Sequence, residues 1–224
     1  MGDLNQLHDA ILNGDADRAR DLTSQALQSG SNPLTLVDEF MIPAMNEVGR
    51  RFEAEEYFVP ELLRSARAMK TAMTLLRPLL TSNGTKSLGR VVLGTVAGDV
   101  HEIGKHLVAA MLEGGGFEII DLGTGVSPDK YVAAAREHKP HIIGMSALLT
   151  TTMPAMKATI LALEAAGLRD HLKVLVGGAP VTAEFAQEIG ADGFSNNAPG
   201  AVAAAKLLLG LPATRTPGVY LCTR

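Results

Sequence analysis

Residues 90–106 read RVVLGTVAGDVHEIGKH: an apolar, β-branched run, a short polar loop, and the start of a segment with helical spacing. Such a run bounded by Gly is a buried strand, and the helical period after the turn makes it the first half of a βαβ unit. The pattern repeats outward in FEIIDLG (117–123), HIIGMSAL (141–148), LKVLVGG (172–178) and the weaker DGFSNN (192–197), each alternating with a helical segment. Five parallel strands with right-handed helical crossovers predict an α/β domain with a doubly wound, Rossmann-like or flavodoxin-like sheet and helices on both faces. Ligands of such sheets bind beyond the carboxyl ends of the strands.

Upstream the period changes. Met41, Met45, Val48 and Phe52 form one helical stripe, and Leu62, Ala66, Met69, Met73, Leu76 and Leu80 another. Asn32-Pro33 and Pro60 open helices, where a missing N–H does no harm. These features predict a bundle of four short helices. TSNGTKSLG (81–89) has no periodicity and reads as a linker. The chain therefore divides into a helical cap at 1–85, an α/β domain at 86–212 and a tail at 213–224 to which no role attaches.

Composition narrows the classes of function. The 224 residues carry a formal charge of −4 with scattered basic residues, which is no footprint for nucleic acid or an anionic membrane. The single cysteine, Cys222, excludes an internal disulfide and suits a reducing compartment. The N-terminal MGDLNQLHDA has no apolar core of a signal peptide, and HLVAAML and AVAAAKLLLGL are too short to span a bilayer. A soluble, cytoplasmic protein is expected.

The chemistry-bearing residues follow the strands. After the first come Asp99, His101 and Gly104, a D-x-H-x-x-G arrangement expected by chance on the order of once in a hundred chains of this size. A loop histidine there can offer one ring nitrogen to a metal while an aspartate accepts the other N–H; local capping is the plain alternative. HEIGKH is no zinc-protease motif, because position 105 is Lys where a second His would stand. The third strand ends in Ser146, Leu148 and three threonines, Thr150 to Thr152, more hydroxyls than a helix N-cap needs. The fourth ends in Gly177-Gly178, which permits either a close approach to backbone or a tight turn. Phosphate-loop, dinucleotide and Ser-His-Asp signatures are absent from the sequence.

Together, Asp99-x-His101-x-x-Gly104, Ser146-x-Leu148 and Gly177-Gly178 resemble the cobalamin-binding domain of methionine synthase and the corrinoid proteins of methanol, methylamine and methoxyarene methyltransferase systems. MNEVGRRFEAEEYFVPELLRSARAMKTAM (45–73) is similar to the helical module that caps the corrin in those proteins. The resemblance implies cobalamin as cofactor, cycling between cob(I)alamin and methylcobalamin, or a related corrinoid. It implies that His101 is the lower cobalt ligand, with Asp99 and Thr152 as its proton relay; Thr152 stands where methionine synthase has Ser. Gly98, Asp99, Val100, His101, Glu102 and Ile103 match the loop beneath the corrin, and Gly104, which ends the motif, is also implied to bind the cofactor. Ser146, Thr150, Gly177, Gly178 and Ala198 match the slot for the nucleotide tail, and Leu148, from the Ser-x-Leu motif, is a further implied cofactor-binding residue. Phe52 and Val59 match residues shielding the upper face, and Asp38 one near the cofactor's edge.

The implied function is a corrinoid methyl carrier, itself a non-autonomous component of a methyltransferase system. Its implied partners are a donor-specific methyltransferase, an acceptor methyltransferase using tetrahydrofolate or a thiol, and a reductive activation protein. Two rivals remain at this stage: a cobalamin-dependent sensor or regulator, and the cobalamin subunit of an adenosylcobalamin mutase.

Overall fold

The computed structural model describes residues 4–82, 87–213 and 218–222. The chain splits into two compact units, residues 1–87 with 113–116, and 88–112 with 117–224. The middle of the anticipated linker, 83–86, and tail residues 214–217 and 223–224 lie outside the described residues.

The first unit is helical. Helix α1 (Asn5–Leu12) turns at Gly14 into α2 (Ala16–Gln28), whose N-cap Asp15 accepts from the Arg18 amide at 3.0 Å. Gly14 has φ +74° and lies against α5 (Val59–Ser82), where an added Cβ would sit 2.5 Å from that of Arg64. Between them α3 (Pro33–Leu36) passes through a π-helical turn, Val37–Met41, into α4 (Ile42–Glu53). Pro43 accounts for the wider turn: an α-helical register would drive its ring against the carbonyl four residues back. The Ile42 amide bonds the Val37 carbonyl instead.

Met41, Met45 and Val48 are buried along α4's approach, as are Leu62, Ala66, Met69 and Leu76 on α5, while Phe52 and Met73 are partly buried. The side chain of Leu80 lies outside the described ones. The bundle departs from the expectation of short helices, because α5 runs for 24 residues, about 36 Å.

The second unit is the sheet domain, in the order β1 (Arg90–Thr95), α6 (Ile103–Gly114), β2 (Glu118–Asp121), α7 (Pro128–His138), β3 (Ile142–Ser146), α8 (Pro154–Ala165), β4 (Lys173–Gly177), α9 (Ala183–Glu188), β5 (Gly193–Ser195), α10 (Ala198–Leu208) and β6 (Val219–Leu221). The strands lie side by side as β2-β1-β3-β4-β5-β6. The five anticipated strands are parallel, and a sixth, antiparallel strand joins them from the tail. It closes the β5 edge: the Phe194 and Tyr220 rings stand 5.9 Å apart, and the Cys222 amide donates to the Asp192 carbonyl at 2.9 Å. On one face Val92, Ile143, Met145, Val174, Val176 and Phe194 form a core with Tyr131, Met156, Ile160 and Leu163. The other face turns Val91, Leu93, Ile142 and Leu175 inward, and the start of α10 is buried throughout.

Candidate functional site

The strand order reverses direction between β1 and β3, which makes the gap beyond their carboxyl ends the switch point of the sheet. The loop 97–102 leaves β1 there, and 147–153 leaves β3. Gly98, at φ +81°, turns the first loop back so that Asp99 enters the interior with no exposed surface.

Asp99 gathers donors from both loops. Its Oδ1 accepts from the His101 amide at 3.0 Å and stands 2.7 Å from His101 Nδ1; its Oδ2 accepts from the Leu148 amide at 2.8 Å, the Leu149 amide at 3.3 Å and Thr152 Oγ1 at 2.8 Å. Burial alone would push this carboxyl up. Hydrogen bonds from the Leu148 and His101 amides, the Thr152 hydroxyl and the His101 ring outweigh it and hold the carboxyl well below the usual range. An ionised Asp99 accepts the hydrogen bond donated by Nδ1–H, which leaves the lone pair on Nε2. The His101 side chain is 45% exposed. Around it Val100 (75%), Ile103 (79%), Leu148 and Leu149 present uncovered apolar surface, the surroundings a flat, largely apolar ligand would cover.

The remaining candidates divide by what holds them. Thr95, Ser146, Gly177 and Ser195 are register partners across four adjacent strands and so form one row of small residues on one face. Gly200 on α10 closes on the end of that row, where a Cβ would lie 2.5 Å from Ser195 Oγ; Ala198 is buried at the helix start behind its N-cap, Asn197. Gly177 and Gly178 are demanded by the fold itself. A Cβ on Gly177 would lie 2.8 Å from the Ser195 carbonyl, and one on Gly178, at φ +127°, would overlap the carbonyl of Ala147. Gly104 differs, since a Cβ there would meet nothing within 4 Å among the described residues. Packing among the described residues does not require that glycine. Glu102 and Thr150 are exposed, and Thr150 is not among the donors to Asp99.

Phe52, partly buried, and Val59, exposed, belong to the helical unit, as does Asp38 in the π-helical turn, whose side chain lies outside the described ones. Sequence reading passed over Leu149, Thr95 and Gly125. The Thr95 hydroxyl donates to the His101 carbonyl at 2.8 Å and the Gly125 amide to the Asp99 carbonyl at 2.9 Å. A polar residue ending the apolar run RVVLGTV was the available signal for Thr95; the other two act through backbone amides, which no side chain announces.

Comparison with known proteins covers both units of the chain. The sheet domain matches a B12 binding domain model over residues 89–205, and the helical segment matches a second B12 binding domain model over 3–77. The chain is 42% identical over 203 residues to trimethylamine corrinoid protein 1 of Methanosarcina acetivorans, covering 90% of this chain and 94% of that one. It superposes with a TM-score of 0.79 on a cobalamin-binding protein from Desulfitobacterium hafniense, at 34% identity over 93% of this chain and 99% of the other. It also matches a chain of the methanol:cobalamin methyltransferase complex from Methanosarcina barkeri, with a TM-score of 0.80 and 29% identity over 92% of this chain and 79% of that one. No helix among the described residues is long and apolar enough to cross a membrane. With an imidazole held on a buried carboxylate, an apolar rim about it and relatives matched over nearly its full length, the chain belongs to the family of B12-binding corrinoid proteins.

Proposed function

We infer that this protein is the methyl-carrying component of a methyltransferase system, receiving a methyl group at one methyltransferase and delivering it at a second. The observation that carries the reading is His101, with Nδ1 fixed on buried Asp99 and Nε2 available to a metal inside an exposed apolar rim. Bound cobalamin supplies the cobalt centre to which a methyl group is transferred and from which it leaves.

The protein's own part is to hold and adjust the lower ligand. Asp99 polarises the Nδ1–H bond and makes Nε2 a better donor to cobalt. Thr152 has one hydroxyl proton and two acceptors at 2.8 Å, Asp99 Oδ2 and the Leu149 carbonyl. Turned toward Leu149, it withdraws a donor from Asp99 and strengthens that carboxylate's pull on the imidazole proton; turned back, it relaxes it. Phe52 and Val59 are assigned to shielding the upper face and Asp38 to the cofactor edge; Ser146, Thr150, Gly177, Gly178 and Ala198 are assigned to the slot for the nucleotide tail.

The donor-specific partner is assigned to the methylamine or methanol class from the relatives' names, the acceptor enzyme to one using tetrahydrofolate or a thiol, and a reductive activation protein returns inactive cofactor to use. The site of action is the cytoplasm. The visible spectrum of protein reconstituted with methylcobalamin tests the reading, with His101→Ala alongside. Stoichiometric uptake in a base-off, histidine-ligated form that the variant loses is expected; a native protein that takes up no cobalamin overturns it. Methyl transfer from a methylamine or methanol that requires this protein together with two methyltransferases completes the test.

A further inference from the structure

Thr95 ends β1, one residue short of the loop that carries the ligand, and has no exposed surface. Its backbone is fixed on both sides: its amide donates to the Gly123 carbonyl at 3.0 Å and its carbonyl accepts from the Val126 amide at 2.9 Å. A β-branched residue on a strand held this way has little freedom about χ1, so its hydroxyl is a fixed point. That hydroxyl donates to the His101 carbonyl at 2.8 Å. His101 precedes α6, which begins at Ile103, so its carbonyl lies outside the described helix.

Further bonds from neighbouring loops hold the same three-residue segment. The Gly125 amide, from the loop after β2, donates to the Asp99 carbonyl at 2.9 Å, and the Leu148 amide, from the loop after β3, donates to Asp99 Oδ2 at 2.8 Å. The loop after β3 adds the Leu149 amide and the Thr152 hydroxyl on the same oxygen, so the ends of β1, β2 and β3 all hold this segment. The bonds on Asp99 orient the imidazole and, through Oδ1, hold the His101 amide; the one from Thr95 holds the His101 carbonyl.

We propose that Thr95 is a positioning residue for the lower ligand: its hydroxyl fixes the His101 carbonyl and so sets the reach of Nε2 toward cobalt. This rests on the assignment of His101 as that ligand. A hydroxyl buried in the strand then contributes to how readily the histidine engages the metal.

The test compares Thr95→Val, Thr95→Ala and Thr95→Ser, reconstituted with cobalamin and reduced to the Co(II) state, where nitrogen coupling in the electron paramagnetic resonance spectrum reports histidine ligation separately from total cobalamin bound. Thr95→Val keeps the shape and loses the donor. The ratio of ligated to unligated cobalt is expected to fall roughly three- to tenfold, the weight of one hydrogen bond, in Val and Ala, with uptake retained and Ser close to native. Ligation as in the native protein in Val or Ala overturns the proposal. So does an equal loss in Ser, which would assign the effect to the side chain's volume in the row shared with Ser146 and Gly177. Thr95→Ala keeps the test open if Thr95→Val does not fold. Thermal unfolding of the apoproteins supplies the readout without cofactor: a loss of ligation that tracks a loss of apoprotein stability across the three variants also overturns it. Native protein that binds cobalamin without nitrogen coupling overturns the ligand assignment itself, separately from any effect of Thr95.

Discussion

Asp99 holds its histidine with help from an amide 49 positions away in the chain, so a change in the loop after β3 reaches His101 without touching it. Thr152 is the place to see this. Thr152→Ser retains the hydroxyl that the Asp99 contact needs, and the spectrum of the reconstituted protein should match the native one. Thr152→Val keeps the volume and removes the donor, leaving Asp99 to pull harder on the imidazole proton; cobalamin uptake should persist while the ratio of histidine-ligated to unligated cobalt rises roughly three- to tenfold, read from the same spectra. The glycines behave differently. Gly178→Ala forces a methyl group into the Ala147 carbonyl at a positive φ, and urea unfolding should show a loss of at least about 3 kcal/mol, whereas a residue added at Gly104 should leave stability nearly unchanged because it meets open space.

The elements show where sequence reading succeeds and where it stops. Strands β1, β3 and β4 are apolar runs buried on both faces, which makes them legible from composition alone. Strand β6 is not: Val219–Leu221 is three residues long, with Tyr220 and Leu221 exposed, and it exists because β5 offers an unpaired edge. Pairing of that kind is a tertiary fact. Removing residues 213–224 should therefore lower the thermal midpoint of the sheet domain and weaken cobalamin uptake, since β5 leads directly into the start of α10. His101 and Asp99 were legible because a histidine and the carboxylate that orients it have a short, rigid spacing; Thr95 and Gly125 act on backbone carbonyls and leave only a faint trace.

Helix α4 ends at another feature hidden in the sequence. Glu55 follows its C-cap at φ +58°, a left-handed conformation that costs an L residue about 1–2 kcal/mol. Glu55→Gly relieves that cost and loosens the unfolded chain, for a net gain of roughly 0.5–1 kcal/mol, measurable as a rise in the urea midpoint.

Across the whole molecule the two units answer to acid through different groups. In the helical unit Glu47 accepts from Arg50 at 2.8 Å and from Arg51 at 2.9 Å, and those bonds bring its carboxyl from 4.5 down to about 2. Arg51 continues the network to Tyr57, whose hydroxyl it meets at 3.1 Å and whose ring centre lies 5.1 Å from the guanidinium. Because the folded carboxyl is the more acidic, the unfolded chain binds more protons between those two values, and stability rises with pH across that window. The contribution is intact above about pH 4.5 and is lost as pH falls toward about 2. Glu47→Gln should shrink the difference in urea midpoint between about pH 6 and about pH 3, followed by far-ultraviolet circular dichroism.

The open surface at Gly104 also offers a reporter. The chain has one cysteine, Cys222, partly buried, with burial and Asp192 pushing its thiol up and so slowing its alkylation. A thiol introduced by Gly104→Cys would stand in solvent at the foot of the ligand loop and react quickly with a maleimide dye in the apoprotein. On the proposed site, with a corrin over Val100 and Ile103, the same thiol should be shielded, so the rate of labelling becomes a count of loaded molecules that needs neither a spectrum of the cofactor nor any partner enzyme.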